Sequence, residues 1–270
     1  MKKILALSFL IVCVFSSFSF AAQTAESIIS DSISMLKEIS EQDDANNMGN
    51  TLRTSHAVAL VPTMLKAGFI LGGEYGEGII LKRENGKWYG PSFYNLGGAS
   101  FGFQIGAQKV SLLLAVINEK GVNAFLSSRT KLGGDVAIAA GSVGRRAEAA
   151  TDAQVKASIY SYSMSKGLFA GVSLEGSVIS KSVKRNKEYW GSEITAEEAI
   201  KKPANDKRIL PLIKILDELI KKAIENMEVE INPEIIEDET NRMINQYKEQ
   251  LQMQGLSLEQ YLSKSSTRNT

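Results

Sequence analysis

Chemistry in this chain has to come from very few groups. Its 270 residues hold one cysteine, Cys13, and one histidine, His56. A zinc site with Cys and His ligands cannot be built from two such residues in one chain. Thiol redox pairs and disulfide scaffolds are excluded by the same count. His56 precedes Ala57-Val58-Ala59-Leu60 and has no nucleophile at a motif spacing, so it reads as a satisfied or solvent-facing side chain. Glu74 and Glu77 could pair for acid–base work, but carboxylates in a Gly-rich stretch more often face water. The glycine motifs fail as nucleotide sites. Gly72-Gly73-Glu74-Tyr75-Gly76-Glu77-Gly78 and Gly97-Gly98-Ala99-Ser100-Phe101-Gly102 are not followed by a helix, as a dinucleotide fingerprint requires, and there is no Gly-Lys-Ser/Thr for a P-loop. Gly171-Val172-Ser173-Leu174-Glu175 lacks the second glycine of a nucleophile elbow. No catalytic residue, metal ligand or cofactor is expected.

What remains is electrostatic. From Arg129 to Lys187 there are ten basic residues against four acidic ones, in a chain whose formal net charge is only +1. A basic surface attracts anionic lipid at about 1 kcal/mol per Lys or Arg held near the membrane. Arg145, Arg146, Lys166, Lys181, Lys184 and Arg185 are the candidate lipid contacts. A near-neutral chain lacks the strongly basic domain that nucleic-acid binding needs, so no nucleic acid is expected.

The elements that must position these residues fall into three parts. Lys2 and Lys3 precede the apolar run Ile4–Phe20, and Ser19-Phe20-Ala21 offers small residues at a cleavage site. Residues 1–21 therefore read as a secretory signal peptide, with an uncleaved membrane anchor as the alternative. Export to the periplasm or beyond is expected, with peripheral membrane association. Residues 24–48 carry a helical apolar stripe through Ile29, Ile33 and Leu36, with Thr24 as N-cap. Their acidic polar face favours packing on the domain over lying in a lipid interface.

The glycines come next. Of 22, all but Gly49, Gly191 and Gly255 lie between Gly68 and Gly176, among strand-like runs such as Val110–Ile117 and Ser158–Ser163. Glu84-Asn85-Gly86-Lys87 is a hairpin turn. Glycines within such runs mark bends and close backbone approach. The fold class is α+β: a strongly bent, Gly-rich antiparallel sheet, partly closed like a barrel, with an N-terminal amphipathic helix and a C-terminal helical extension.

The motifs are also familiar in order. Leu60-Val61-Pro62, Lys66-Ala67-Gly68-Phe69 and Gly72–Gly78 resemble the opening of the SYLF domain family. Gly86–Phe93, Gly102–Gln108, Leu132–Asp135, Ala140–Arg145, Tyr160–Gly176 and Asn186–Gly191 are similar to its later segments. Tyr89 and Ser142 stand where Ser and Pro are usual. The resemblance spans about Ile28 to Pro203. It implies binding of acidic membrane lipids, with actin binding known for eukaryotic relatives. Farther on, Ile209 to Ile224 form a broad apolar stripe. Asn232-Pro233 opens a helix to about Gln254, and Ser257-Leu258-Glu259-Gln260 is a capping box. This tail resembles part of the trigger factor C-terminal helical domain.

The expected organisation is a signal peptide at 1–21, a SYLF-like lipid-binding domain at 22–205 and a helical extension at 206–270. The expected partners are anionic membrane lipids, and another protein or a second copy through the C-terminal helices. The alternative function is a chaperone-like module that holds unfolded segments with the tail.

Overall fold

The structure is a computed structural model that describes residues 23–42, 45–141, 157–165, 168–169, 174–226 and 233–253. The expected signal peptide lies outside these residues. So do Arg145, Arg146, Lys166 and the Ser257–Gln260 capping box.

Thr24 caps α1 (Ala25–Ser40): its side chain accepts from Ser27 N–H, and Ser27 bonds back to complete a capping box. The apolar stripe does not continue as one helix to residue 48. A second helix, α2 (Ala45–Thr54), follows a break near Gln42. Then come two very long strands, β1 (Ala57–Glu84) and β2 (Lys87–Val116), joined by the turn at Asn85 and Gly86. Both turn residues have positive φ, 51° and 75°, as a two-residue hairpin turn demands.

A straight 28-residue strand would reach roughly 90 Å, about twice the diameter of a 200-residue domain. The hairpin therefore has to bend, and its irregularities and glycines show where. Register shifts separate Val61 from Met64, Gly68 from Ile70 and Ile80 from Lys82. Pro62, which has no N–H to give a ladder, sits in the first of these, and Ser111 Oγ donates to its carbonyl at 2.8 Å. The start of β1 then lies across its own later part. A Cβ on Gly76 would fall 2.5 Å from Val61 Cγ1 and 3.0 Å from the Thr63 carbonyl oxygen. A Cβ on Gly78 would strike the Leu60 carbonyl and the Tyr94 ring. Glycine there is a condition of the curl.

Among the described residues the sheet has seven strands in a strongly curled half-barrel. After α3 (Glu119–Leu126) come β3 (Thr130–Lys131), β4 (Ile138–Ala140), β5 (Ile159–Ser165), β6 (Leu168–Phe169) and β7 (Val178–Lys181). β5 pairs with β2 at residues 111–116 and β7 pairs with it at 94–97, both antiparallel. The short β4–β5 pair is parallel.

Two cores form, one on each face. Inside the curl lie Val61, Met64, Ile80, Tyr94, Leu96, Leu112 and Leu114, plugged by Val122 and Phe125 of α3. Tyr94 and Phe125 meet edge to face at 4.8 Å. Outside, Val58, Leu60, Ile79, Leu81, Phe93, Leu113 and Ala115 are covered by helices. The covering set is α1, α2, α4 (Val183–Trp190) and α6 (Leu210–Glu225), with the one-turn α5 (Ala196–Ala199) between the last two.

The role of α6 differs from the expectation that the body ends at 205. Leu212, Ile213, Leu216, Leu219 and Ile220 are buried in the outer core. Gly49 of α2 touches α6 so closely that a Cβ would lie 2.6 Å from Ala223 Cβ. Trp88 Nε1 donates to Asp217 at 2.8 Å. The first compact unit runs to Asn226, and the second, from Met227, contains α7 (Pro233–Met253).

Candidate binding surface

The Glu-Tyr-Gly-Glu-Gly stretch of β1 turns its two carboxylates to opposite faces, and neither simply faces water. Glu77, on the helix side, holds Arg185 of α4. Arg185 Nε donates to Glu77 Oε2 at 2.8 Å, and its Nη1 to Glu188 Oε2 at 2.9 Å. Glu188 Oε1 in turn accepts the Ala25 N–H at the start of α1, at 3.1 Å. One guanidinium thus ties sheet, α4 and α1 together, with only 6% of its side chain exposed. Burial works against the charged guanidinium, but the hydrogen bonds and charges of Glu77 and Glu188 outweigh it and raise its pKa. Tyr75 donates to Glu77 at 3.0 Å, and its phenol is pushed up to about 12 by burial and by the Glu77 charge.

Glu74 points into the other face. Its Oε2 meets Lys66 Nζ at 2.7 Å, and its Oε1 accepts from Ser177 Oγ. Gly98 lies between β1 and β7 at this point, and a Cβ on it would sit 3.2 Å from the Glu74 carboxylate. The trio stitches β1 to the start of β7 across a glycine. Ser177 is 2% exposed, so its hydroxyl is closed to a substrate. His56 Nδ1 lies 3.3 Å from Glu119, which Lys82 also approaches at 3.3 Å. Partial burial opposes the Glu119 charge, yet the Lys82 and His56 hydrogen bonds hold its carboxyl below the usual range. This is a surface ion cluster.

Of the six candidate lipid contacts, three are described. β7 and α4 bring Lys181, Lys184 and Arg185 to one corner, but they do not share one exposure. Lys181 is half-buried and lies 3.8 Å from Glu197. Lys184 is exposed. Arg185 is turned inward, as above. The outer face of α4 instead adds Val183, 63% exposed, and Lys187, which meets Glu193 at 2.9 Å. Beside it Lys202 lies 4.9 Å over the Trp190 ring, and Arg208 lies 4.0 Å over Tyr189. Sequence reading missed Glu77 and Glu188 as the partners of Arg185. The i, i+3 spacing of Arg185 and Glu188 was the visible hint.

Comparison with known proteins places this geometry. A family model described as Las17-binding protein actin regulator (Ysc84) matches residues 97–219. Protein YSC84 of Saccharomyces cerevisiae is 36% identical over 175 residues, 62% of this chain and 36% of that protein. The chain carries a Ysc84/SYLF family domain. An SH3 domain-containing protein of Schizosaccharomyces pombe is 43% identical over 143 residues, 51% of this chain and 33% of its own length. The SH3 domain-containing YSC84-like protein 1 of Xenopus laevis is 36% identical over 135 residues, 49% and 40% of the two chains. The chain thus spans about a third of the length of these fungal relatives. A second model, the C-terminus of bacterial trigger factor, matches residues 201–270.

The Ysc84/SYLF match takes in β7, α4, α5 and α6 as far as Leu219, so it reaches into the helix that completes the outer core. The trigger factor match overlaps it from 201 to 219 and continues through α7. Among the described residues there is no cluster of His, Cys, Asp and Glu fit to hold a metal, and no helix long and apolar enough to cross a membrane.

Proposed function

We propose that the protein is an exported, non-enzymatic binding protein whose Ysc84/SYLF domain attaches to anionic membrane lipid. The observation that carries this is the division of labour on α4. Arg185 fixes the helix to the sheet and to α1, while Val183, Lys184 and Lys187 are left on its outer face. A rigid helix presenting two lysines beside an apolar side chain suits an anionic interface. Arg145, Arg146 and Lys166 remain proposed contacts on the sequence alone, and Arg185, turned inward, drops out of the set. The description of the matched family as Las17-binding supports a protein partner in addition.

Co-sedimentation with vesicles of phosphatidylcholine, with and without phosphatidylglycerol, tests the reading. Binding should require the anionic lipid and weaken as salt rises, because screening shortens the reach of surface charge. The double change Lys184→Ala and Lys187→Ala should weaken it by about 2 kcal/mol, or some 30-fold. Equal binding to neutral and anionic vesicles would reject the electrostatic reading.

A second reading has its own support. In α7, Met243, Ile244, Tyr247 and Met253 are exposed, the last by 82%. Flexible, Met-bearing apolar surfaces suit the holding of varied segments. Client binding of that kind should survive high salt.

A further inference from the structure

We infer that a small cleft between the end of α1 and the sheet binds the diester of phosphoethanolamine, in solution or as a lipid headgroup. It uses none of the α4 residues, so it does not rest on the lipid reading above.

The bulge in β1 builds the cleft. Where the register shifts between Val61 and Met64, Pro62 and Thr63 together oppose Ser111 of β2. Ser111 is in turn the partner of Met164 in β5. Pro62, Thr63, Lys109, Ser111 and Met164 line the cleft from the sheet, and Glu38, in the last turn of α1, lines it from the helix. Its volume is about 220 Å³, room for roughly seven waters. Pockets for drug-sized ligands are larger, roughly 300–1,000 Å³, so the occupant is a small polar group and not a peptide segment. The walls are held in place. Ser111 Oγ donates to the Pro62 carbonyl at 2.8 Å, and beside Lys109 the Gln108 amide donates to Ser165 Oγ at 3.2 Å.

Charge selects the occupant. Lys109 and Glu38 bring one cation and one carboxylate to the same cleft, both on exposed side chains. Among the described residues neither forms an ion pair, with the other or with a third group. A ligand carrying both signs meets each with its opposite, whereas a simple anion meets Glu38 as a like charge. A lysine is a point charge suited to phosphate oxygens, while a planar carboxylate is better matched by the fork of an arginine. The phosphate therefore goes to Lys109. The C-terminal end of α1 carries a partial negative charge, which adds to Glu38 in favouring an ammonium there. Ser111 Oγ gives its proton to Pro62 and still offers lone pairs to that ammonium. Met164, 4% exposed, is the apolar wall for the short carbon spacer between the two charges. A phosphate diester carries a single negative charge, so the zwitterion balances one lysine and one glutamate.

The test titrates the full chain with glycerophosphoethanolamine, the soluble diester, by calorimetry and by amide NMR. Binding should saturate at one site and move the Thr63 and Ser111 amide signals. Lys109→Gln and Glu38→Gln should each weaken it about tenfold, the worth of one charge-assisted hydrogen bond, and Lys184→Ala should leave it unchanged. Glycerol phosphate, without the ammonium, and glycerophosphocholine, whose ammonium has no N–H, should bind more weakly than the parent ligand. The source is read with neutral vesicles. If adding phosphatidylethanolamine to phosphatidylcholine carries the parent but not Lys109→Gln into the pellet, the cleft takes a lipid headgroup. If only the soluble diester binds, the ligand is a free one, and the site stands. The inference is overturned if neither form binds, if Glu38→Gln binds like the parent, or if the shifted amides lie on α4. Should a Gln variant fail to fold, the amide shifts of the parent still decide.

Discussion

Removing α6 should unfold the Ysc84/SYLF domain, whereas removing everything after it should not. A chain ending at Ala204 loses six buried aliphatic side chains: Leu212, Ile213, Ile215, Leu216, Leu219 and Ile220. At about 1.5–3 kcal/mol for each fully buried side chain, the loss is on the order of 10 kcal/mol. That figure is an upper estimate, because unfolded chains already bury some apolar surface. Half of it still equals the whole stability of a weakly stable domain, which is about 5 kcal/mol. The truncation also strips the cover from α2 at Gly49 and takes away Asp217, the acceptor of the Trp88 indole. A chain ending at Asn226 keeps all of these contacts. Urea titrations followed by circular dichroism should show one cooperative transition for the longer chain. The shorter chain should show none, and should bind a dye for exposed apolar surface. A chain ending at Ala204 that unfolds cooperatively at the midpoint of the longer one would refute the reasoning and put α6 outside the core.

Arg185→Met should cost about 3–5 kcal/mol in urea unfolding, because it leaves the largely buried Glu77 carboxylate without its cation; a cost below about 1 kcal/mol would mean the network is not holding α4. Tyr75 should ionise near pH 12, against about 10 unfolded, as read from tyrosinate absorbance against Tyr75→Phe. Its folded pKa is raised, so its contribution to stability is complete below pH 10 and disappears as pH rises through about 12. Glu77→Gln should bring the Tyr75 midpoint down, and an unchanged midpoint would remove Glu77 as a cause.

Much of the fold was legible where one residue type has one structural meaning. Asn85-Gly86 gives a hairpin, Thr24 gives a cap, and Pro233 begins a helix. Glycine was harder to read, because a bend within a strand and a break between strands look alike in sequence. The run that begins at Val110 reads as a separate short strand, yet it is the end of a strand of 30 residues that starts at Lys87. Only the crossing of β1 over itself tells the two cases apart, and that is a contact between residues far apart in the chain. The same limit hid the site networks. Glu77 lies 108 residues before Arg185, and Glu74 lies 103 before Ser177, so no spacing rule connects either pair. The stripe of α6 was plain from Ile209 to Ile224, but a stripe says that a face is buried and not against what.

Charge illustrates the same limit with more consequence for function. The stretch from Arg129 to Lys187 holds a clear basic excess when summed along the chain. In space, carboxylates from outside the stretch enter it: Glu77 and Glu188 at Arg185, Glu197 at Lys181 and Glu193 at Lys187. These pairings differ in kind. Lys187 and Glu193 are both well exposed, so their contact is weak and an anionic surface can compete for the lysine. The Arg185–Glu77 pair is closed off, and separating it would leave the largely buried Glu77 carboxylate without its cation. Lys184 and Arg185 are therefore adjacent residues of one charge with opposite expected consequences. Loss of Lys184 should weaken vesicle binding and leave the unfolding transition in place. Loss of Arg185 should move the transition, and vesicle binding should follow only as far as α4 loses its seat on the sheet. A variant of Arg185 that unfolds like the parent but no longer binds vesicles would contradict this, and would return that arginine to the binding face.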